Sequence, residues 1–217
     1  GNSPTRSEMS TDRFGRNDAG DRLMVAAAWF AFDLALPTEE QGRHHLASPD
    51  RDEVWVRSLF EQAVGGFYRV TLASKGWSVR TGTKLQWQLD WESPGISEVL
   101  PGMTTDIILD SPDRDRRIVI DTKFTSLLKP GHYKSRTISS GYLYQIYAYL
   151  KSQAGKGGLN KVAEGLMLHP SAGESIDIAG LVLYRSLRFA TVDLSSDSQT
   201  LRRQLLSAIA PSKTELD

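Results

Sequence analysis

Apolar positions along the chain follow two kinds of pattern. Ile107, Ile108 and Leu109, then Ile118, Val119 and Ile120, are unbroken runs, which suit strands buried on both faces. SPDRDR between them is rich in charge and turn formers, so the pair predicts a hairpin. Residues 83–91, TKLQWQLDW, alternate Leu85, Trp87 and Leu89 with polar neighbours, predicting a half-exposed strand. Residues 162–169 predict a buried strand ended by Pro170, and residues 176–194 two strands turning at Arg185 and Ser186. Helical spacing governs the remainder. Asp21 opens an apolar segment closed by Pro37. Asp50 or Asp52 caps a helix to about Leu72, with Trp55, Leu59, Ala63, Phe67 and Val70 as its apolar stripe. Lys75-Gly76-Trp77 turns the chain out of it. Residues 141–153 predict a helix packing Leu143, Ile146, Tyr147 and Leu150 on the sheet. Residues 199–210 predict a closing helix with Leu201, Leu205, Leu206 and Ile209 inward. This order predicts an α/β sandwich, a central mixed sheet flanked by helices.

Two acids interrupt the apolar hairpin. Asp106 opens its first strand and Asp121 closes its second, with Lys123 two positions on. Side chains at i and i+2 of a strand share a face, so Asp121 and Lys123 project together and Thr122 points away. Asp106 reaches the same spot if the register allows. An isolated charge there would cost several kcal/mol, roughly what pairing or a metal must offset. Gln145 and Tyr149, four apart, share one helix face, as they would in any tyrosine-rich core helix.

An acid at a strand end, a hairpin, then acid-x-Lys resembles the PD-(D/E)xK nuclease superfamily, with Thr105 where the motif has proline. Gln145 and Tyr149 form a Q-x-x-x-Y pair similar to the motif after DxK in RecB-type nucleases. The text MTTDI, IVIDTKF and YLYQIYAYL also resembles McrC proteins, the nuclease subunits of 5-methylcytosine-dependent McrBC restriction systems. Trp55, Leu59, Phe60-Glu61 and Phe67-Tyr68-Arg69 match that family's first catalytic-domain helix. The likeness runs from about Phe30 to the C-terminal helix.

The resemblance implies a PD-(D/E)xK restriction-endonuclease-like fold and a metal-dependent DNA endonuclease over residues 48–217, with residues 21–47 as N-terminal helix and linker. It implies Asp106, Asp121 and the Thr122 backbone carbonyl as metal ligands, and Glu61 as support for a second metal or its water shell. Lys123 would stabilise charge, and Gln145 and Tyr149 would position the water or the phosphate. Lys129, His132, Lys134 and Arg136, in the loop after DxK, would grip DNA; a solvated loop reads the same from composition. Oxygen ligands indicate Mg²⁺ or Mn²⁺. GTP would act only through a partner, an McrB-like AAA+ GTPase that also organises the oligomer. The alternatives are a RecB-type exonuclease or repair nuclease without a motor, and a non-catalytic scaffold on a nuclease fold.

Composition narrows the field. With 26 basic and 26 acidic residues the formal net charge is zero, so any DNA affinity must come from local patches or a partner. The chain has no cysteine, which excludes a disulfide framework and a Cys-ligated zinc site and fits a cytoplasmic protein. No apolar run is long enough to span a membrane. Residues 1–20 are polar and turn-rich and are expected to be disordered or partly tag-derived. AGKGGLNK, residues 154–161, lacks the order of a P-loop and predicts a flexible connector. His44 and His45 read as surface residues and His169 as a structural hydrogen-bonder rather than as ligands. Trp87 and Trp91 read as packing groups, with base stacking as the functional alternative.

Overall fold

A computed structural model describes residues 53–130, 136–171 and 175–211. The expected N-terminal helix, His44 and His45 lie outside these residues. Helix α1 (Glu53–Ala73) leads into β1 (Ser78–Leu85) and a short helix α2 (Ile96–Val99). The hairpin strands β2 (Met103–Asp110) and β3 (Arg117–Thr122) follow. A small ribbon of β4 (Leu128–Pro130) and β5 (Arg136–Ile138) precedes α3 (Ser140–Gln153). Then come β6 (Glu164–Ser171), β7 (Asp177–Val182), β8 (Arg185–Asp193) and α4 (Ser198–Ala208).

Six of the described strands make one mixed sheet in the order β1-β2-β3-β6-β8-β7. β3, β6 and β8 are parallel at its centre, and the antiparallel pairs lie to either side. The parallel step from β3 to β6 needs a crossover, and α3 lies within it. α1 and α4 cover one face, where Phe60, Val64, Phe67 and Leu205 pack against Ile107, Ile118, Ile120 and Leu166. α3 covers the other face, with Ile146, Tyr149 and Leu150 against Val119, Met167 and Leu187. The unbroken apolar runs are therefore the strands with a helix layer on both sides.

Five expectations shift. The buried stripe of α1 is Val56, Phe60, Val64, Phe67 and Leu72, whereas Trp55 and Val70 are about half exposed. Two apolar lines at helical spacing compete on this helix, and the line that meets the sheet is the buried one. β1 lies at Ser78–Leu85, so Gln86 to Trp91 fall outside it. The alternation at Trp87 has another cause: its indole N–H donates to the Pro101 carbonyl at 2.8 Å and its ring packs on the α3 side. Trp91 is 80% exposed, not a packing group. Pro170 lies inside β6, opposite Val192 in the parallel ladder, rather than ending the strand. Residues 154–160 form two short 3-10 turns instead of a featureless connector.

Gly165 sets the seat of α3. A Cβ there would stand 2.7 Å from Ile146 Cγ1 and 2.9 Å from Leu187 Cδ2. Gly165→Ala should push α3 off the sheet and cost about 1–3 kcal/mol by overpacking. Urea denaturation checks this; an unchanged midpoint would show that the contact relaxes freely.

Candidate active site

β2 pairs with β1 from Met103 opposite Leu85 to Asp110 opposite Ser78, the register skipping Asp106 and Gly82. With β3 it pairs only from Ile107 opposite Ile120 to Asp110 opposite Arg117. The two strands diverge beyond Ile107 and Ile120, and Asp106 and Asp121 are the next residue on each arm. Asp106 is thus inside β2, which begins at Met103, rather than its opening residue.

The split leaves a donor of β3 without a partner strand, and Asp106 supplies the acceptor. Its Oδ2 takes the Thr122 backbone N–H at 2.6 Å and the Thr122 hydroxyl at 2.7 Å. Charge-assisted bonds of this kind fix a carboxylate's orientation. Thr122 is buried, so these donors are shielded from water.

Asp121 has only 1% side-chain exposure. Lys123 Nζ forms an ion pair with its Oδ2. Its Oδ1 has no hydrogen-bond partner among the described residues. Burial pushes this carboxyl up to about 6; Lys123 opposes the shift and Asp106 adds to it. The Lys123 backbone N–H donates to the Leu168 carbonyl at 3.0 Å, prolonging the alignment with β6 beyond the end of β3. That extension keeps residues 121 and 123 on one face.

Glu61 projects from α1 toward the same charges. Its carboxyl is raised by burial first, then by Asp106 and Asp121, with Lys123 pulling the other way. On α3, Gln145 Nε2 donates to the Tyr149 hydroxyl at 2.7 Å. Burial raises the Tyr149 phenol, the Gln145 bond lowers it, and Asp121 and Asp106 raise it further. Glu61, Asp106, Asp121, Lys123 and Tyr149 therefore share one electrostatic neighbourhood, with three carboxyls against one ammonium.

The proposed DNA grip is less complete. Lys129 belongs to β4 and exposed Arg136 to β5, while His132 and Lys134 lie outside the described residues. His169 is fully buried, and its Nδ1 lies 2.8 Å from the Thr125 carbonyl, a structural bond.

A model of the family described as McrBC 5-methylcytosine restriction system component matches residues 54–160. The segment belongs to the McrBC family. No curated protein matches the chain. The McrBC-family match runs from α1 to the second 3-10 turn, so it contains Glu61, Asp106, Asp121, Lys123, Gln145 and Tyr149.

In the McrBC segment, Thr122 takes a part that sequence reasoning missed, and Tyr142 escaped it altogether. Thr122, expected to offer only its carbonyl, holds Asp106 through its N–H and hydroxyl. Tyr142 lies under Lys123, with Nζ 5.8 Å from the ring centroid. Its hydroxyl is 3.1 Å from Thr125 Oγ1. The signal was present: residues 142, 145 and 149 fall on one helix face.

The donor set fits a hard divalent cation. A buried aspartate carries an oxygen without a hydrogen-bond partner, and acids outnumber cations around it. Among the described residues no three His, Cys, Asp or Glu side chains form a metal-holding group. An all-protein cage of acids is thus not formed. Two carboxylates leave positions for water and substrate oxygen, which suits Mg²⁺ better than Ca²⁺.

Proposed function

We propose that this chain carries the DNA-cleaving domain of a modification-dependent restriction system, an Mg²⁺- or Mn²⁺-dependent endonuclease of the PD-(D/E)xK type working in the cytoplasm. The reading is carried by one observation. Among the described residues, Asp121 is buried with a bare oxygen at a strand split where Asp106 and Glu61 add negative charge and only Lys123 opposes it. Such a site is costly to keep unless a cation completes it.

Asp106, Asp121 and the Thr122 carbonyl would hold the metal. The chemistry supplied by such an ion would be offset of the phosphodiester charge and a lowered pKa for a coordinated water. The remaining chemistry belongs to the chain. Thr122 fixes Asp106 so that its Oδ1 is the oxygen left to present. Lys123 donates from Nζ to the oxygen on which negative charge develops. Its ion pair with Asp121 suits it to stabilise charge rather than to act as a base. Gln145 orients the Tyr149 hydroxyl, whose raised phenol keeps its proton and can donate it to a phosphate oxygen or hold the attacking water. Glu61, on a separate helix facing the same charges, would accept hydrogen bonds from water at the site.

An McrB-like AAA+ GTPase would deliver DNA and organise the assembly. Plasmid cleavage tests the reading. Circular DNA should be opened in Mg²⁺ and not in EDTA, and faster with the neighbouring motor protein and GTP. Degradation from free ends alone would make the chain a RecB-type exonuclease. No cleavage and no Mg²⁺ binding would leave a scaffold.

A further inference from the structure

A basic pocket opens beside the acidic centre, on the α3 face of the sheet. Its cavity is about 210 Å³. Arg80 and Lys84 from β1, Arg117 from β3 and Lys156 from the first 3-10 turn line it. These four cations meet one acid. Asp110 accepts Arg80 Nη2 at 2.9 Å, and Arg117 Nε and Nη2 at 2.6 and 2.8 Å. Arg117 Nη1 also donates to Asn160 Oδ1 at 2.5 Å. Both guanidinium groups are therefore held in place by bonds along the pocket wall. Lys84 and Lys156 are exposed and make no ion pair among the described residues. The pocket keeps a surplus of positive charge and two ammonium groups available to a ligand.

The floor is apolar, formed by Ile108, Val119 and Leu150. A small inorganic anion has no use for such a floor; a sugar-phosphate unit does. Position adds a second argument. Ile108 is two residues from Asp106 on β2, and Val119 two from Asp121 on β3, so pocket and acidic centre share a sheet face. Two strand residues advance about 6.6 Å, comparable with the reach of one nucleotide unit. Tyr149 lines the pocket and belongs to the centre, joining the two.

We propose that this pocket binds the backbone phosphate of a nucleic-acid strand adjacent to the phosphodiester presented to Asp106 and Asp121, with Lys84 and Lys156 as the phosphate contacts. The assignment rests on the nuclease reading for its geometry, but binding can be measured without cleavage. The test uses the full chain in EDTA, a labelled single-stranded oligonucleotide and fluorescence anisotropy across a salt series. Lys84→Ala/Lys156→Ala should weaken binding and make the log K against log salt slope shallower by about 0.7, the value for one single-strand phosphate contact. The same loss should appear in an Asp121→Ala background.

An unchanged slope and affinity in the double variant overturns the proposal. So does a wild-type chain that binds no oligonucleotide. Guanosine monophosphate is the second probe. If it binds wild type but not the double variant, while the oligonucleotide binds both equally, the pocket serves a free nucleotide and the strand proposal fails. Cleavage is scored separately: a slope change in a chain that cuts no plasmid would sink the nuclease reading and leave the pocket standing. Both lysines are exposed, so an unchanged unfolding midpoint verifies the fold of the variant.

Discussion

Asp121→Asn will abolish plasmid cleavage and, in EDTA at pH 7.5, make the protein more stable than wild type. The loss should be at least about 10³-fold, because the substitution removes a charged ligand from the proposed metal and the ion-pair partner of Lys123. The gain in stability follows from the raised carboxyl. Its ordinary value is 3.8, and burial moves it up to about 6 in the folded chain. Between those values the folded protein holds a proton that the unfolded chain has released, so stability falls as pH rises through that window. At neutral pH the full penalty is present, about 3 kcal/mol for a shift of this size. An amide of the same shape escapes much of it, and that penalty is already net of the attraction of Lys123. A net gain of about 1–2 kcal/mol is expected at pH 7.5, shrinking toward zero by pH 4. Urea denaturation across pH measures this, and Mg²⁺ should stabilise the wild type alone. A variant that cuts normally would remove Asp121 from the site. One that is less stable at pH 7.5 would show that the buried carboxylate is well satisfied without a cation.

The hairpin and its acids were legible because their signals are local. An unbroken apolar run identifies a strand covered on both sides, and the i, i+2 rule alone places Asp121 beside Lys123. What stayed hidden depends on which elements meet. α1 carries two apolar lines, and only the sheet selects Val56, Phe60 and Val64 over Trp55, Leu59 and Val70. β1 is a largely exposed edge, SVRTGTKL, with a glycine at φ 59°, so it has little alternation to read. The hydroxyl bond from Thr122 to Asp106 exists because the β2–β3 ladder ends at Ile120, short of Thr122, which no spacing records. The basic pocket gathers residues 80, 84, 117 and 156 from three separate elements. In the sequence, lysine and arginine are dense in the contiguous run after β3. Proximity in space assembles a different set.

Lys123→Met should separate metal binding from cleavage. The substitution keeps an unbranched apolar stem against Tyr142 and removes the ammonium. Lys123 occupies Asp121 Oδ2, so a cation approaching that oxygen must compete with it. Among the described residues it is also the one positive charge acting on Glu61 and Asp121, while Asp106 acts on both with the opposite sign. Without it the acids attract a divalent ion more strongly, and Mg²⁺ affinity by calorimetry at pH 8 should rise several-fold. The pH matters, because losing Lys123 drives the Asp121 carboxyl higher still and protons then compete with the metal at lower pH. Cleavage should nevertheless fall by about 10²–10³-fold, the usual loss when a donor to developing charge is removed. Arginine at the same position should rescue little, since its planar fork pairs with Asp121 in a different geometry. Tighter metal with lost cleavage assigns Lys123 to the transition state. Weaker metal would instead make it an organiser of the two aspartates, and unchanged cleavage would take it out of the chemistry altogether.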